Sequence, residues 1–440
     1  MHPRPTVAFI STGIATGLAV CATGQRYTEP DMSHEGLTYG IGGTTSDGSV
    51  ALVGRLFPHR VGLWSASTGI ELINVPQALN GDILSGLNGV SRDGSRVVGN
   101  YLVSIEPPKA GVFIWTAGGV TTLQLPEPYD TLDVTSVSAS GSFIVGTAFG
   151  YNADGRIDTI SDYVWELDTG FTPLPRSTAS TMFAEAVSEG GTVVGNEFIV
   201  LSDPPLTYGV PALWTPGGGV VQLDTLGSAF EGDLEWTSGN ALAITPDGEW
   251  IVGSGFVNGP GNSGLGGALR WDQTRTPQAL GKVQTVVSER SVAEAISDDG
   301  TTVAGWYEAD FNPGPDDRGY FVWTETDGMR DVAQLIFDGT GVDRRDCRSF
   351  AEAVLSGDGR VLYGLWRCES LDPRTRVFRF ELTPTACPAD TNGDGLVNPG
   401  DFNAWVIAFN NQSPACDQNG DGLCNPADFN AWVINFNDGC

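Results

Sequence analysis

From about residue 40 to residue 382 the chain alternates short apolar runs with turn residues, in a rhythm that repeats seven times. Each copy holds a strand-like run, a turn of the form Ser-x-Asp-Gly, a second apolar run ending in glycine, and an aromatic strand. The turns are Ser46-Asp47-Gly48, Ser91-Arg92-Asp93-Gly94, Ser138-Ala139-Ser140-Gly141, Ser188-Glu189-Gly190-Gly191, Thr245-Pro246-Asp247-Gly248, Ser297-Asp298-Asp299-Gly300 and Ser356-Gly357-Asp358-Gly359. The first copy reads as compressed, with Asp47 directly after Ser46. Asp-Gly supplies the positive φ of a tight hairpin, and the β-branched residues around it favour strands. A glycine turn and another short strand follow each aromatic strand, which makes about four strands per copy at a spacing of 45 to 59 residues. The pattern predicts a mainly β fold, a seven-bladed β-propeller in which neighbouring blades supply each other's core.

Six aromatic strands end on Trp64, Trp115, Trp165, Trp214, Trp271 and Trp323, and the seventh on Phe380. These residues are expected between blades, with sugar stacking as the other reading. The seventh copy stops at Phe380-Glu381-Leu382 without a fourth strand, so residues within about 25–40 are expected to cover that edge. Cys347 and Cys368 lie symmetrically about the last turn, ten residues from Gly357 and Asp358, which predicts a cross-strand disulfide. The inner strands of several copies carry a polar residue three or four positions before the turn serine: Asn88, Glu185, Glu294 and Glu352. They are read as a solvated channel wall, with a cation site as the alternative.

The tail, residues 387–440, has a different rhythm. Phe402, Trp405, Val406 and Phe409 fall at i, i+3, i+4 and i+7, and Phe429, Trp432, Val433 and Phe436 repeat this 27 residues later. The spacing predicts two helices with one apolar stripe each, packed together. Before each helix stands an oxygen-rich loop with EF-hand spacing. The first offers Asp390, Asn392, Asp394, the carbonyl of Leu396, Asn398 and Asp401. The second offers Asp417, Asn419, Asp421, the carbonyl of Leu423, Asn425 and Asp428. Gly395 and Gly422 occupy the bend at position six. Two Ca2+ ions are therefore expected as cofactors.

Charge and cysteine content narrow the class. The formal charge is −30, from 53 acidic and 23 basic residues, and Lys109 and Lys282 are the only lysines. Such a chain repels nucleic acid and anionic membranes. Arg4 followed by the apolar run Val7 to Val20 reads as an export signal, cleaved near residue 24 and too short to span a membrane. Leu18-Ala19-Val20-Cys21 resembles a lipoprotein box, although Val20 is large for the position before a lipidated cysteine. Loss of Cys21 would leave six cysteines, which allow fifteen pairings. Cys387–Cys440 and Cys416–Cys424 are the favoured pairs of the tail. The body shows no zinc spacing, nucleophile elbow, phosphate loop or dinucleotide fingerprint, so no catalytic residue is assigned.

The repeats, typified by the run from Ala293 through Ser297-Asp298-Asp299-Gly300 to Gly305, resemble the extracellular HAF-type repeat family and are similar in rhythm to TolB-type propellers. The duplicated loop–helix unit, with Cys387-Pro388-Ala389-Asp390 at its start and Gly439-Cys440 at its end, resembles the type I dockerin family and more closely its GC-type branch. That resemblance implies a cohesin-like or other surface receptor. Loop positions ten and eleven, which often carry hydroxyls in dockerins, are Pro399-Gly400 and Pro426-Ala427 here. The docking surface is expected on the exposed helix sides with Pro399, Gly400, Asn403, Pro426, Ala427 and Asn430. The resulting organisation is a signal peptide (1–24), a propeller (25–382), a linker (383–386) and the calcium module (387–440). The function expected is a secreted, non-catalytic propeller with a glycan or protein ligand, anchored through the module. The alternative is a carboxylate-based glycosidase on the same anchor.

Overall fold

The computed structural model describes residues 27–29, 39–56, 59–73, 89–105, 108–175, 180–202, 205–224, 236–257, 266–283, 290–308, 318–349, 353–368, 375–382, 389, 391–392, 399–419 and 422–438. The chain divides into two compact units, one spanning Arg26–Thr383 and the other containing Pro384–Cys440.

The first unit is a mainly β propeller. Repeats 1 to 4 each form a separate four-stranded sheet in sequential order. Repeat 3 shows the plan: Thr131–Val137, Phe143–Tyr151, Ile157–Glu166 and Gly170–Pro173 pair antiparallel, each with the next. Repeats 5 and 6 share an eight-stranded sheet, two antiparallel sets joined by the parallel pair Gly266 and Arg290. The last sheet holds repeat 7 and one strand from the other end of the chain, β1 (Tyr27–Thr28), whose residues pair with Phe380 and Arg379. The edge left bare by the last repeat is thus covered from within residues 25–40. Glu29 fastens the strand: its carboxylate lies 2.7 Å from Arg344 Nη2 and 3.7 Å from Arg376 Nη1, and accepts the Tyr27 hydroxyl at 2.7 Å.

All seven turn glycines adopt positive φ, from +64° at Gly48 to +79° at Gly248. In the first turn it is Thr45, not Ser46, that takes the serine's place. Its hydroxyl donates to Asp47 Oδ1 at 2.8 Å, as Ser91 does to Asp93 and Ser297 to Asp299 at 2.6 Å. The first copy is therefore not compressed, because either hydroxyl residue serves the turn.

The glycine ending the second apolar run has a separate cause in repeats 3 to 6. The inner strands of repeats 1, 3, 4, 5 and 6 bulge at Gly42, Thr135, Glu185, Leu242 and Glu294, three residues before the turn's hydroxyl residue. A bulge drives the inner strand toward its neighbour. A Cβ on Gly146, Gly195, Gly253 or Gly305 would stand 1.8–2.0 Å from the carbonyl oxygen of Asp133, Phe183, Asn240 or Val292. Only glycine fits there.

The aromatic positions lie between sheets, each packed on the preceding repeat. Trp115 packs with Leu52 and Val61, Trp165 with Val98 and Val112, Trp214 with Val145, Trp271 with Val194, and Trp323 with Val252. Phe380 joins Ala304 and Tyr320 of repeat 6, and Trp64 joins Val361 and Tyr363 of repeat 7, which closes the ring. Cys347 and Cys368, cross-strand partners, form a disulfide with Cα atoms 4.2 Å apart. Helix α1 (Val332–Thr340), capped by the Asp331 side chain, covers the outer edge beside repeat 6.

The second unit contains α2 (Pro399–Asn410), a short 3-10 turn and α3 (Pro426–Asp438). Both helices begin on a proline, whose fixed φ and missing N–H suit the first helical position. No helix among the described residues is long and apolar enough to cross a membrane.

Two outcomes are expected. Gly305→Ala lowers stability by about 1–3 kcal/mol, read as a fall in melting temperature, because the Val292 carbonyl is in the way. Removal of residues 27–29 lowers the melting temperature of the whole propeller by several degrees, and unchanged melting would show that β1 does not close the ring.

Candidate cation loops and the central channel

The bulges set what the central channel presents. Bulged residues turn inward, so Gly42, Thr135, Glu185, Leu242 and Glu294 line a cavity of about 330 Å3 bounded by inner strands of every repeat. The inner-strand N–H groups beside the bulges are satisfied from the preceding repeat. Val134 N–H donates to Asn100 Oδ1 at 3.0 Å, Ala184 N–H to Asp162 Oδ2 at 3.2 Å, and Ala241 N–H to Asn196 Oδ1 at 3.3 Å. Glu294 makes the corresponding link from repeat 6 to repeat 7. One oxygen accepts Trp306 Nε1–H at 2.7 Å and the other accepts Ala353 N–H at 3.0 Å. Of the four polar positions read from the sequence, Glu185 and Glu294 face the channel, and Asn88 and Glu352 lie outside the described residues.

At one mouth the turns are stitched by backbone hydrogen bonds. Ser46 N–H donates to Arg92 O, Arg92 N–H to Ala139 O, Glu189 N–H to Pro246 O, Asp298 N–H to Gly357 O, and Asp358 N–H to Ser46 O, all at 2.7–2.8 Å. Between repeats 3 and 4 the Glu189 carboxylate substitutes, accepting Ser140 N–H at 2.6 Å. Arg92 spans the mouth. Its Nη1 donates to Leu355 O at 3.0 Å and its Nε lies 3.2 Å from Asp298 Oδ1. Burial pushes the Asp298 carboxyl up, and the Arg92 charge opposes this. A Cβ on Gly357 would meet Asp298 Oδ2 at 2.3 Å, so any larger residue there must displace that carboxylate.

The second loop of the tail is described at Asp417, Asn419, Leu423, Asn425 and Asp428, and the first at Asn392 and Asp401. Asp390, Asp394, Leu396, Asn398 and Asp421 lie outside the described residues. Asp428 is fully buried. Its Oδ1 accepts the N–H groups of Gln418 and Asn419 at 3.0 and 3.3 Å, and its Oδ2 accepts that of Asn425 at 2.8 Å. Burial pushes this carboxyl up, but the three donors outweigh it and hold it below the ordinary range. Gly422 bends with φ +79°, and its N–H donates to Asp417 Oδ2 at 2.8 Å. Asp401, also fully buried, accepts Asn392 N–H at 3.2 Å, which repeats the Asp428–Asn419 bond 27 residues earlier. The donor set is oxygen only, carboxylate, amide and carbonyl, and suits a hard divalent cation such as Ca2+. Among the described residues no three His, Cys, Asp or Glu side chains gather into one cluster.

The two halves grip each other reciprocally. Trp405 Nε1 of α2 donates to Cys416 O at 3.1 Å, just before the second loop. Trp432 Nε1 of α3 donates to Ala389 O at 3.3 Å, just before the first. Trp405, Trp432 and Ala389 are buried in one core. Phe402 and Phe429 depart from the expected stripe. They are 37% and 41% exposed and stand against each other at 6.0 Å, because the first residue of each stripe falls where the helices meet at the surface. Pro399, Asn403, Pro426, Ala427 and Asn430 are exposed and Gly400 is half-buried. Ile407 and Ile434, one turn beyond Asn403 and Asn430, are 61% and 58% exposed. Sequence reasoning passed over these two, although their place four residues after an exposed asparagine marks the outer face. Cys416 and Cys424 form a disulfide, and Cys387 and Cys440 lie outside the described residues.

Arg92→Met is expected to lower the melting temperature, equivalent to about 1–3 kcal/mol, because it leaves Asp298 and the Leu355 carbonyl without their partner. Adding Asp298→Asn is expected to recover part of the loss. Additive losses would show that the two side chains are not coupled.

No family model and no curated protein sequence matches the chain. An oligogalacturonate lyase from Vibrio parahaemolyticus is similar at TM-score 0.49 and 10% identity, over 81% of this chain and 97% of that one. The β-propeller domain of the Trilobed protease from Pyrococcus furiosus is similar at TM-score 0.48 and 9% identity, over 79% and 98%. A putative TolB from Agrobacterium tumefaciens gives TM-score 0.38 at 13% identity, over 66% and 90%. Likenesses this distant say nothing of ligand or activity, and the propeller architecture rests on the sheets and their pairing.

Proposed function

We propose that the chain is an exported, non-catalytic, seven-bladed propeller of HAF type, held to a surface receptor by a calcium-dependent dockerin-type module. The blade count takes the eight-stranded sheet as two blades, divided at its single parallel pair. The observation that carries the docking reading is the duplicated tail. Its halves bond reciprocally through Trp405 and Trp432, and each helix turns an uncovered isoleucine outward beside an exposed asparagine. The loops supply Asp390, Asn392, Asp394, Leu396, Asn398 and Asp401 to one Ca2+, and Asp417, Asn419, Asp421, Leu423, Asn425 and Asp428 to the other. When bound, calcium supplies positive charge to a segment with seven aspartates and no lysine, arginine or glutamate. The receptor would be cohesin-like or another surface protein, reached through Asn403, Ile407, Asn430 and Ile434. The two disulfides are consistent with a place outside the cytoplasm. The second reading is a carboxylate-based glycosidase on the same anchor, which needs two acids facing each other across a cleft; in the channel Glu294 is engaged at both oxygens by neighbouring N–H groups.

The test is retention of the full-length protein on its parent cells. Asp390→Ala with Asp417→Ala is expected to abolish both calcium binding and retention while the propeller stays folded. Ile407→Asp with Ile434→Asp is expected to keep calcium binding and lose retention at least tenfold. Retention of the aspartate double variant would show that the anchor lies elsewhere.

A further inference from the structure

The two loops are alike in sequence but not in covalent structure. Cys416 stands immediately before Asp417, the first loop position, and Cys424 stands between Leu423 and Asn425, positions seven and nine. Their disulfide, with a sequence separation of 8, therefore spans the stretch that carries Asp417, Asn419, Asp421 and Leu423. The equivalent positions 27 residues earlier are Ala389 and Val397, and no cysteine occurs from 388 to 415. The first loop cannot be closed in this way, whatever Cys387 is bonded to.

The bridge acts where the loop is otherwise held by hydrogen bonds alone. Cys416 is buried, and its carbonyl accepts the Trp405 indole N–H from the opposite helix, so one end of the bridge is anchored in the core. From that anchor the chain passes Gln418 and Asn419, whose N–H groups point at the buried Asp428 carboxylate. It then bends at Gly422 and returns through Cys424 to Asn425, whose N–H points at the same carboxylate. Closing a loop this short removes many open conformations that the chain would otherwise sample without a cation.

We propose that the Cys416–Cys424 disulfide makes the second loop a preformed cation site, an advantage that the first loop, with no cysteine at the equivalent positions, does not have. The inference rests on the reading of the loops as calcium sites, but its structural half is independent of metal. The two sites are then unequal: the second binds first and more tightly, and it alone weakens when the bridge is reduced.

Two measurements on the full chain test this. In excess chelator, amide hydrogen exchange compares Asn419 with Asn392, which make equivalent bonds to Asp428 and Asp401. Protection at Asn419 is expected to exceed that at Asn392 by about tenfold, and Cys416→Ser with Cys424→Ser is expected to remove the difference. Equal protection in the unaltered chain overturns the proposal without touching the calcium reading. In a calorimetric Ca2+ titration two unequal sites are expected. Asp417→Ala removes the tighter one and Asp390→Ala the weaker, and the double serine variant weakens the tighter site about tenfold. Equal loss at both sites, or none, also overturns the proposal. Absence of Ca2+ binding to the unaltered chain instead overturns the calcium reading, and the exchange result then stands alone.

Discussion

The tryptophan that ends the third strand of a repeat leaves water only when the sheet before it in the ring is in place. Burying about 200 Å2 of indole at about 25 cal/mol/Å2 is worth up to about 5 kcal/mol. That contribution belongs to a pair of neighbours and never to one repeat. Trp271 on repeat 4 and Trp323 on repeat 5 depend on this directly. The dependence runs in one direction around the ring, so it is complete only when Trp64 of the first repeat meets Val361 and Tyr363 of the last. The polar links follow the same adjacency. Asn100, Asp162 and Asn196 each accept an inner-strand N–H of the next repeat. Apolar burial and hydrogen-bond satisfaction thus impose the same order on the sheets.

The two units answer to different physics. In the propeller, aromatic and β-branched side chains supply the core, and the few buried charges, such as Asp162 and Arg270, are bonded between repeats. In the tail the core is small, built on Ala389, Trp405 and Trp432 with Val406, Phe409, Val433 and Phe436 beside them. Two fully buried aspartates there organise the backbone by accepting its N–H groups. A domain with so little apolar interior depends on such groups, on a disulfide and on bound ions to a degree that a propeller does not.

Turn chemistry was readable from sequence because a tight turn demands one residue type: the glycine closing each of the seven turns has a positive φ. The aromatic positions were readable because their spacing matched one strand of a repeated unit. The glycine closing each second apolar run looked like a strand end. In repeats 3 to 6 its reason is a bulge on the neighbouring strand, and no local pattern reveals a carbonyl oxygen approaching from another segment. Thr45 was passed over for Ser46 because two adjacent hydroxyls read alike until one is seen bonded to Asp47. In the tail, helical period correctly assigned Trp405 and Trp432 to the core. It could not show that Phe402 and Phe429 would meet at the surface, since period fixes a face but not which part of it a partner covers. The loop residues announce their donor chemistry in sequence, whereas the reciprocal indole bonds depend on tertiary pairing.

The strand at Tyr27–Thr28 has a consequence for how the molecule is made. Its partner Phe380 lies 353 residues further along the chain. A ribosome adding about 5–20 residues per second needs roughly 20–70 s to reach it. Throughout that interval the first strand has no edge to join, and the last edge does not yet exist. Sheets can stack as they emerge, but the circle cannot be sealed until translation is almost finished. If the chain is carried through a membrane as it is read from its sequence, sealing falls to the far side, where the oxidising surroundings also close Cys347 onto Cys368 within the same final sheet.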